Sequence, residues 1–435
     1  MDNTQRFKTL GRLLVSTGAA AVLLGTAQLA QAQIANGKTK FLGNIIAGNP
    51  PANFNTYWNQ VSPENAGKWG SVEPVRGQMN WGALDTAYNY ARANGMPFKQ
   101  HTFVWGSQEP NWIGGLSAPQ QAAEVEDFMR QYCQRYPQTQ YIDVVNEPLH
   151  QPASYRAALG GAGATGWDWI VWSFEKARQH CPNAKLLINE YGIINDANAV
   201  TRYKGIVSIL KSRGLIDGVG IQSHHFSMDT VAPATITQNL NSLAQAGVPI
   251  YVSELDMTGD DATQLSRYQQ KFPLLWTHPA VAGVTLWGYI EGQTWVANSH
   301  LVRRDGSERP ALTWLANYVR NTSSSKSIVV RARGTSGQER VTLRIGGTAV
   351  QSWTLSKTMT NYTFTTSLSG GSTVEFTNDA TGRDVQIDYL SVNGNARQAE
   401  TQTYNTGVYQ SGRCGGGSGR SEWLHCNGAI GFGDL

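Results

Sequence analysis

Residues Tyr141 to His150 read YIDVVNEPLH, a short apolar and β-branched run that ends in Asn146-Glu147. Residues of this kind fill sheets, and a carboxylate at the end of a buried strand is costly unless its surroundings use the charge. A lone glutamate there reads most simply as a cap or a surface ion pair. Seven comparable runs between Phe41 and Arg320 change that reading: FLGNIIAG, NQVSPENAGKW, PFKQHTFVWG, KLLINEYG, GVGIQSHH, PIYVSELD and VAGVTLWGY. Helix-like segments separate them, among them LDTAYNYARANG, AAEVEDFMRQYCQRY, WIVWSFEKARQHC, VTRYKGIVSILKSRG and ATITQNLNSLAQAG. Several end at glycine, a residue common just past a helix C-terminus. Strand alternating with helix eight times predicts an α/β chain folded as a (β/α)8 TIM barrel rather than an open doubly wound sheet. No G-x-G-x-x-G follows the first run, which argues against a dinucleotide site.

Polar residues gather at the C-terminal end of seven of these runs. They are Glu64, Asn65 and Lys68; His101 and Trp105; Asn146 and Glu147; Asn189 and Glu190; Gln222 and His224; Glu254 and Asp256; and Trp287. In a barrel all of these ends open onto one face, where such proteins build their sites. Glu147 would end the fourth strand and Glu254 the seventh, placing two carboxylates across one mouth. Paired carboxylates around a substrate are what glycosidic cleavage requires: one protonated, to donate to the leaving oxygen, and one ionised. A separation of roughly 5–5.5 Å would mean retention of configuration and roughly 6.5–9.5 Å inversion.

Bulk composition is consistent with a neutral polymer as partner. The 35 Lys+Arg against 31 Asp+Glu leave no charge bias that would suggest nucleic acid. The 14 tryptophans offer flat apolar rings with a polar edge, suited to sugar faces as well as to cores. Arg6, Lys8 and Arg12, then LLVSTGAAAVLLGTAQLA, then AQA ending at Ala32, read as a signal peptide over residues 1–32. Secretion of a mature chain starting near Gln33 is therefore expected, with no membrane span. In an exported protein the four cysteines are expected to pair. Cys133 and Cys181 each sit late in a predicted helix ahead of consecutive strands, and Cys414 and Cys426 bracket CGGGSGRSEWLHC. The expected disulfides are Cys133–Cys181 and Cys414–Cys426. No close second cysteine or histidine pair accompanies them, which argues against zinc.

The motifs PENAGKW, KQHTFVW, DVVNE, GVGIQSHH, YVSELD and TLWG...TW, in this order along the chain, resemble those of glycoside hydrolase family 10, the endo-β-1,4-xylanases. The likeness covers Phe41 to Arg320. By this resemblance Glu147 is the acid/base and Glu254 the nucleophile of a retaining reaction on xylan and xylo-oligosaccharides, with no cofactor for catalysis. Asn146 would bond the sugar 2-hydroxyl, and Gln222 and His224 would hold the nucleophile and the sugar. Glu64, Asn65 and Lys68 would contact the non-reducing side, and His101, Trp105, Trp287 and Trp295 would wall the cleft. One departure is Trp105-Gly106, where the family usually has Trp-His, so a donor to the sugar at the cleavage position is lost or replaced. The segment YIEGQTW also departs from the family spelling before its second tryptophan.

NTSSSKS, residues 321–327, reads as a linker after a catalytic domain over 33–320. Beyond it SIVVRARG, RVTLRIGG, AVQSWTLS, NYTFTTSL, STVEFTND and DVQIDYLSVNG alternate with period two. They predict a small all-β sandwich, jelly-roll-like, over 328–435. No Ser-His-Asp set or carboxylate pair is evident in it, so it reads as a binding module. Asp379 and Asp384 in FTNDATGRDVQIDY suit either Asx-turn capping or oxygen ligation of Ca2+. The segment resembles carbohydrate-binding module family 60, whose members bind xylan through a calcium ion. That likeness implies Asp379, Asp384 and the Arg383 carbonyl as Ca2+ ligands, and Glu400 for a second ion. A monomer is expected. Two other readings stay open: a barrel endoglucanase on cellulose or mixed-linkage glucan, and a non-catalytic polysaccharide-binding protein.

Overall fold

The computed structural model describes residues 33–322, 326–368, 370–415 and 419–435. The export signal expected over 1–32, and residues 323–325 of the expected linker, lie outside them. Eight parallel strands form one sheet: β1 (Phe41–Ile46), β2 (Val61–Pro63), β3 (Lys99–Val104), β4 (Tyr141–Asn146), β5 (Lys185–Glu190), β6 (Gly218–Ile221), β7 (Ile250–Leu255) and β8 (Val281–Leu286). Their order, β2-β1-β8-β7-β6-β5-β4-β3, follows the chain around the ring, and β2 also packs beside β3. This is the expected TIM barrel, and its strands are almost wholly buried, as parallel strands covered by helices must be.

Side chains close the N-terminal end of the barrel. Phe41, Tyr141 and Tyr251 put their rings together there, with Phe41 stacked on Tyr251 at 6.0 Å. Gly283 makes the room, since a Cβ on it would meet the Phe41 ring at 2.3 Å. The opposite end stays open. Around the ring, helices such as Ala118–Arg135 and Asp261–Trp276 bury Phe128, Tyr132, Phe272 and Leu275 against the strands. Among the described residues no helix is long and apolar enough to cross a membrane.

Two expectations about extent need correction. The run NQVSPENAGKW is strand only from Val61 to Pro63, because Pro63 brings no N–H to extend the ladder. The rest turns outward into a short helix, Trp69–Val72. At the other end of the barrel, helix Pro310–Asn321 and strand β9 (Lys326–Gly334) both run into the expected linker, which is correspondingly shorter.

The second unit is a two-sheet sandwich, as expected. Its further strands are β10 (Arg340–Ile345), β11 (Thr348–Thr354), β12 (Thr360–Thr366), β13 (Gly371–Phe376), β14 (Val385–Val392), β15 (Asn395–Gln398), β16 (Tyr409–Gln410), β17 (Arg413–Cys414), β18 (Trp423–Leu424) and β19 (Gly428–Asp434). One sheet runs β11-β10-β13-β19 and the other β12-β9-β14-β15. Every second residue of β9 (Ile328, Val330, Ala332) and of β10 (Val341, Leu343, Ile345) points into the shared core, which is what period two encodes.

Both disulfides pair as expected, Cys133 with Cys181 and Cys414 with Cys426. Cys133–Cys181 spans 48 residues, and closing a loop of that length removes ~4 kcal/mol of denatured-state entropy. Replacing both by serine is expected to lower the urea midpoint of the barrel accordingly; an unchanged midpoint would contradict this estimate.

Candidate active site

The C-terminal ends of the barrel strands open onto a cavity of about 590 Å3. The twelve barrel residues given roles by the family resemblance all line it, whereas Asn189, Glu190 and Asp256, also named at the strand ends, are buried behind it. Gln108, Tyr191 and Phe226, which the sequence reading missed, complete the lining.

Glu147 and Glu254 face this cavity, 9% and 4% exposed. Side-chain amides join them. Gln222 Nε2 donates to Glu147 Oε1 at 2.8 Å and to Asn146 Oδ1 at 3.4 Å. Asn189 Nδ2 donates to the same Asn146 Oδ1 at 2.8 Å and to Glu254 Oε1 at 2.7 Å. Asn189 is itself fixed by Ser253 Oγ, 2.6 Å from its Oδ1. The Asn146 oxygen is thus fully engaged while its amide nitrogen keeps donor capacity beside Glu147. The first residue past β4, Glu147, turns the chain in the left-handed region at φ 54°, a strain of roughly 1 kcal/mol for a residue with a Cβ.

Each carboxylate has its own electrostatic setting. Burial pushes Glu147 above the ordinary carboxylate value and the charge on Glu254 pushes the same way, against hydrogen bonds from Gln222 and from Trp105 Nε1 at 3.0 Å. Burial would also raise Glu254, but His101, His224 and Lys99 outweigh it and hold this carboxyl down at about 2. His224 Nε2 lies 3.0 Å from Glu254, and its Nδ1 lies 2.8 Å from Asp256, to which Trp295 Nε1 also donates at 2.6 Å. Burial alone would lower His224; the bonds to Asp256 and Glu254 raise it to about 9 instead. At neutral pH this imidazole is charged and donates through both nitrogens. Below the barrel mouth Lys99 and His101 both reach Asp143 Oδ2, and His101 Nδ1 stands 3.9 Å from Glu254. One glutamate is set up to keep its proton and the other to lose it.

The two ends of the cavity differ in chemistry. β4 and β7 divide the ring, leaving β5 and β6 on one arc and β8, β1, β2 and β3 on the other. On the longer arc Lys68 Nζ bonds Asn65 Oδ1 at 2.8 Å and Gln108 Oε1 at 2.7 Å and lies 5.0 Å from the Trp105 ring centre. Burial lowers Lys68 and raises its neighbour Glu64. On the shorter arc Tyr191 meets the 47% exposed Phe226 edge to face at 5.6 Å. Trp287 is buried against His101, whereas Trp295 is 48% exposed over His224. Beside Trp105, Gly106 has no room for a side chain: a Cβ would meet the carbonyl oxygens of Pro152 at 2.3 Å and Gln151 at 2.6 Å.

In the sandwich, Asp379 and Asp384 lie in the loop between β13 and β14. Their backbones are held, by Asn427 Oδ1 at 2.9 Å and Thr335 Oγ1 at 2.8 Å, while neither carboxylate has a partner among the described residues. The same loop carries two unpaired carboxylates and the Arg383 carbonyl, oxygen groups of the type a hard cation such as Ca2+ takes. Glu400 sits apart, exposed on the turn Ala399–Thr401. Among the described residues no three acidic, histidine or cysteine side chains gather as a metal site.

Comparison with known proteins agrees with this geometry. The family model of carbohydrate-binding module 60, described as Ca-dependent and xylan-binding, matches residues 327–406. Over 288 residues the chain is 46% identical to endo-1,4-beta-xylanase B of Cellvibrio japonicus, covering 65% of this chain and 46% of that one. Over 108 residues it is 72% identical to endo-1,4-beta-xylanase Xyn11B of the same organism, covering 25% of this chain and 30% of that one. The chain thus spans less than half the length of either relative. A solved structure titled GH10 from Paenibacillus barcinonensis superposes with a TM-score of 0.58 at 25% identity, covering 65% of this chain and 95% of that one. The model of glycosyl hydrolase family 10 matches residues 26–318, and with the barrel and its two glutamates in view, the chain belongs to that family.

Proposed function

We propose that this chain is a secreted endo-β-1,4-xylanase, with a catalytic barrel over 33–320 and a calcium-dependent xylan-binding module over 328–435. The observation that carries the reading is the opposed setting of two glutamates in one cavity, Glu147 raised and Glu254 held at about 2. Glu254 attacks the anomeric carbon; the bond to the leaving sugar breaks, and its oxygen takes the proton of Glu147. A water molecule then attacks the same carbon, giving its proton to Glu147 and releasing Glu254, so configuration is retained. His224 and Asn189 hold Glu254 ionised and aimed. Asn146 Nδ2, which donates one N–H to Glu147 Oε1 at 3.5 Å, keeps its second for the sugar 2-hydroxyl, a contact that strengthens as positive charge develops at the anomeric carbon.

The test compares reducing ends released from xylan and from carboxymethylcellulose, with NMR of the first anomer formed. Faster release from xylan with a β-anomer first is the expected result. Preference for carboxymethylcellulose would favour the endoglucanase reading, and an α-anomer first would overturn retention.

Asp379, Asp384 and the Arg383 carbonyl are the residues that would hold calcium. When bound, the ion offers open coordination positions to sugar hydroxyls. The tethered module keeps the cavity near an insoluble polymer and raises its effective concentration there. EDTA is therefore expected to abolish retention of the full chain on insoluble xylan while leaving hydrolysis of soluble xylo-oligosaccharides unchanged. Binding that survives chelation would remove calcium from this account.

A further inference from the structure

Glu147 leaves β4 in a strained left-handed turn, and such a conformation persists only where its surroundings over-determine it. The turn that follows is tied down on both sides. Its interior is closed by the Glu147 carbonyl, which accepts the N–H groups of His150 at 3.2 Å and Gln151 at 2.8 Å. On the β5 side, Glu190 Oε2 accepts the Leu149 N–H at 2.7 Å, and its Oε1 lies 2.8 Å from both His150 Nδ1 and the Tyr191 N–H. The His150 ring stacks on Tyr191 at 4.0 Å. On the β3 side, Gly106 donates its N–H to the Gln151 carbonyl at 2.9 Å, and the absent side chain is what lets the turn approach.

We infer that Gly106 and Glu190 are positioning residues for Glu147: from opposite sides they pin the turn Glu147–Gln151 and so fix the carboxyl that protonates the leaving group. This rests on the acid/base role proposed for Glu147. It also accounts for the family departure at Gly106, because the usual histidine would occupy the space now filled by the turn. Glu190 is fully buried, and burial raises it to about 8 despite the two backbone N–H groups, so near neutral pH it is largely protonated. It can thus hold the turn without placing a second full charge beside Glu147.

The test exploits leaving-group chemistry. Xylan releases a poor leaving group that needs a proton, whereas a 2,4-dinitrophenyl xylobioside releases one that does not. Misplacing a reacting group by about 1 Å can cost on the order of 100-fold. Gly106→Ala forces the turn to move and should lower kcat/KM on xylan by about that factor while leaving the dinitrophenyl substrate near the parent value. Glu190→Gln keeps the shape but loses one acceptor for a backbone N–H, and should show the same selectivity with a loss of about 10-fold on xylan. The dinitrophenyl rate itself reports a folded cleft with a working Glu254. Equal losses on both substrates, or none on either, would overturn the inference. Glu147→Ala, run in parallel, separates the two levels. If it discriminates between the substrates and the positioning variants do not, only the inference falls; if it does not discriminate, the acid assignment and this inference fall together.

Discussion

Replacing Glu254 by alanine is expected to lower xylan hydrolysis by roughly four to six orders of magnitude, the scale on which loss of a nucleophile is felt. The effect should be this large because the surrounding residues are arranged around one ionised carboxyl. His224, charged and anchored by Asp256, donates to one oxygen of Glu254, and Asn189 donates to the other. Removing the carboxyl leaves those donors without their acceptor and leaves the anomeric carbon with no attacking group. Added azide can fill the space from the same face and should restore turnover, giving a xylosyl azide of inverted configuration. Initial rates on xylan with and without azide are the measurement. A variant that hydrolyses xylan at the parent rate would end the mechanism proposed here.

Glu147→Ala should cost about 10^2- to 10^4-fold on xylan, the usual contribution of a positioned acid. The more diagnostic change lies in the pH profile of kcat/KM. In the proposed mechanism Glu147 acts while protonated and its carboxyl is raised, so activity should be present below its folded pKa and lost as pH rises through it. Glu254 would act while ionised and is held at about 2, so activity should be present above that value and lost as pH falls towards it. The parent should therefore give a bell, and Glu147→Ala on the dinitrophenyl substrate should lose the alkaline limb while keeping the acid one. A full bell in the variant would assign the alkaline limb to another group. His224, raised to about 9, and Glu190, raised to about 8, are the neighbours that would then answer for it.

Much of this protein is legible in its chain. Eight apolar runs spaced by amphipathic segments suit a barrel ringed by helices better than an open doubly wound sheet. A barrel in turn forces Glu64, His101, Glu147, His224, Glu254 and Trp287 onto one face, whatever the details of packing. Period-two alternation in β9 and β10 likewise admits little but a sandwich. The short strands β16, β17 and β18 were less legible, because two residues carry no alternation, and β18 is held by pairing with the distant β14.

Strand periodicity and chain direction already dictate which chemical groups stand at the barrel mouth. How those groups act on one another follows from packing. That Asn189 links Asn146 to Glu254, that Tyr191 and Phe226 form the apolar end of the cavity, and that Gly106 admits the turn behind Glu147 all depend on through-space distances between segments 35 or more residues apart. Desolvation and Coulomb interactions fall steeply with distance, so the opposed pKa shifts of two identical side chains are a property of the packed barrel and not of either residue.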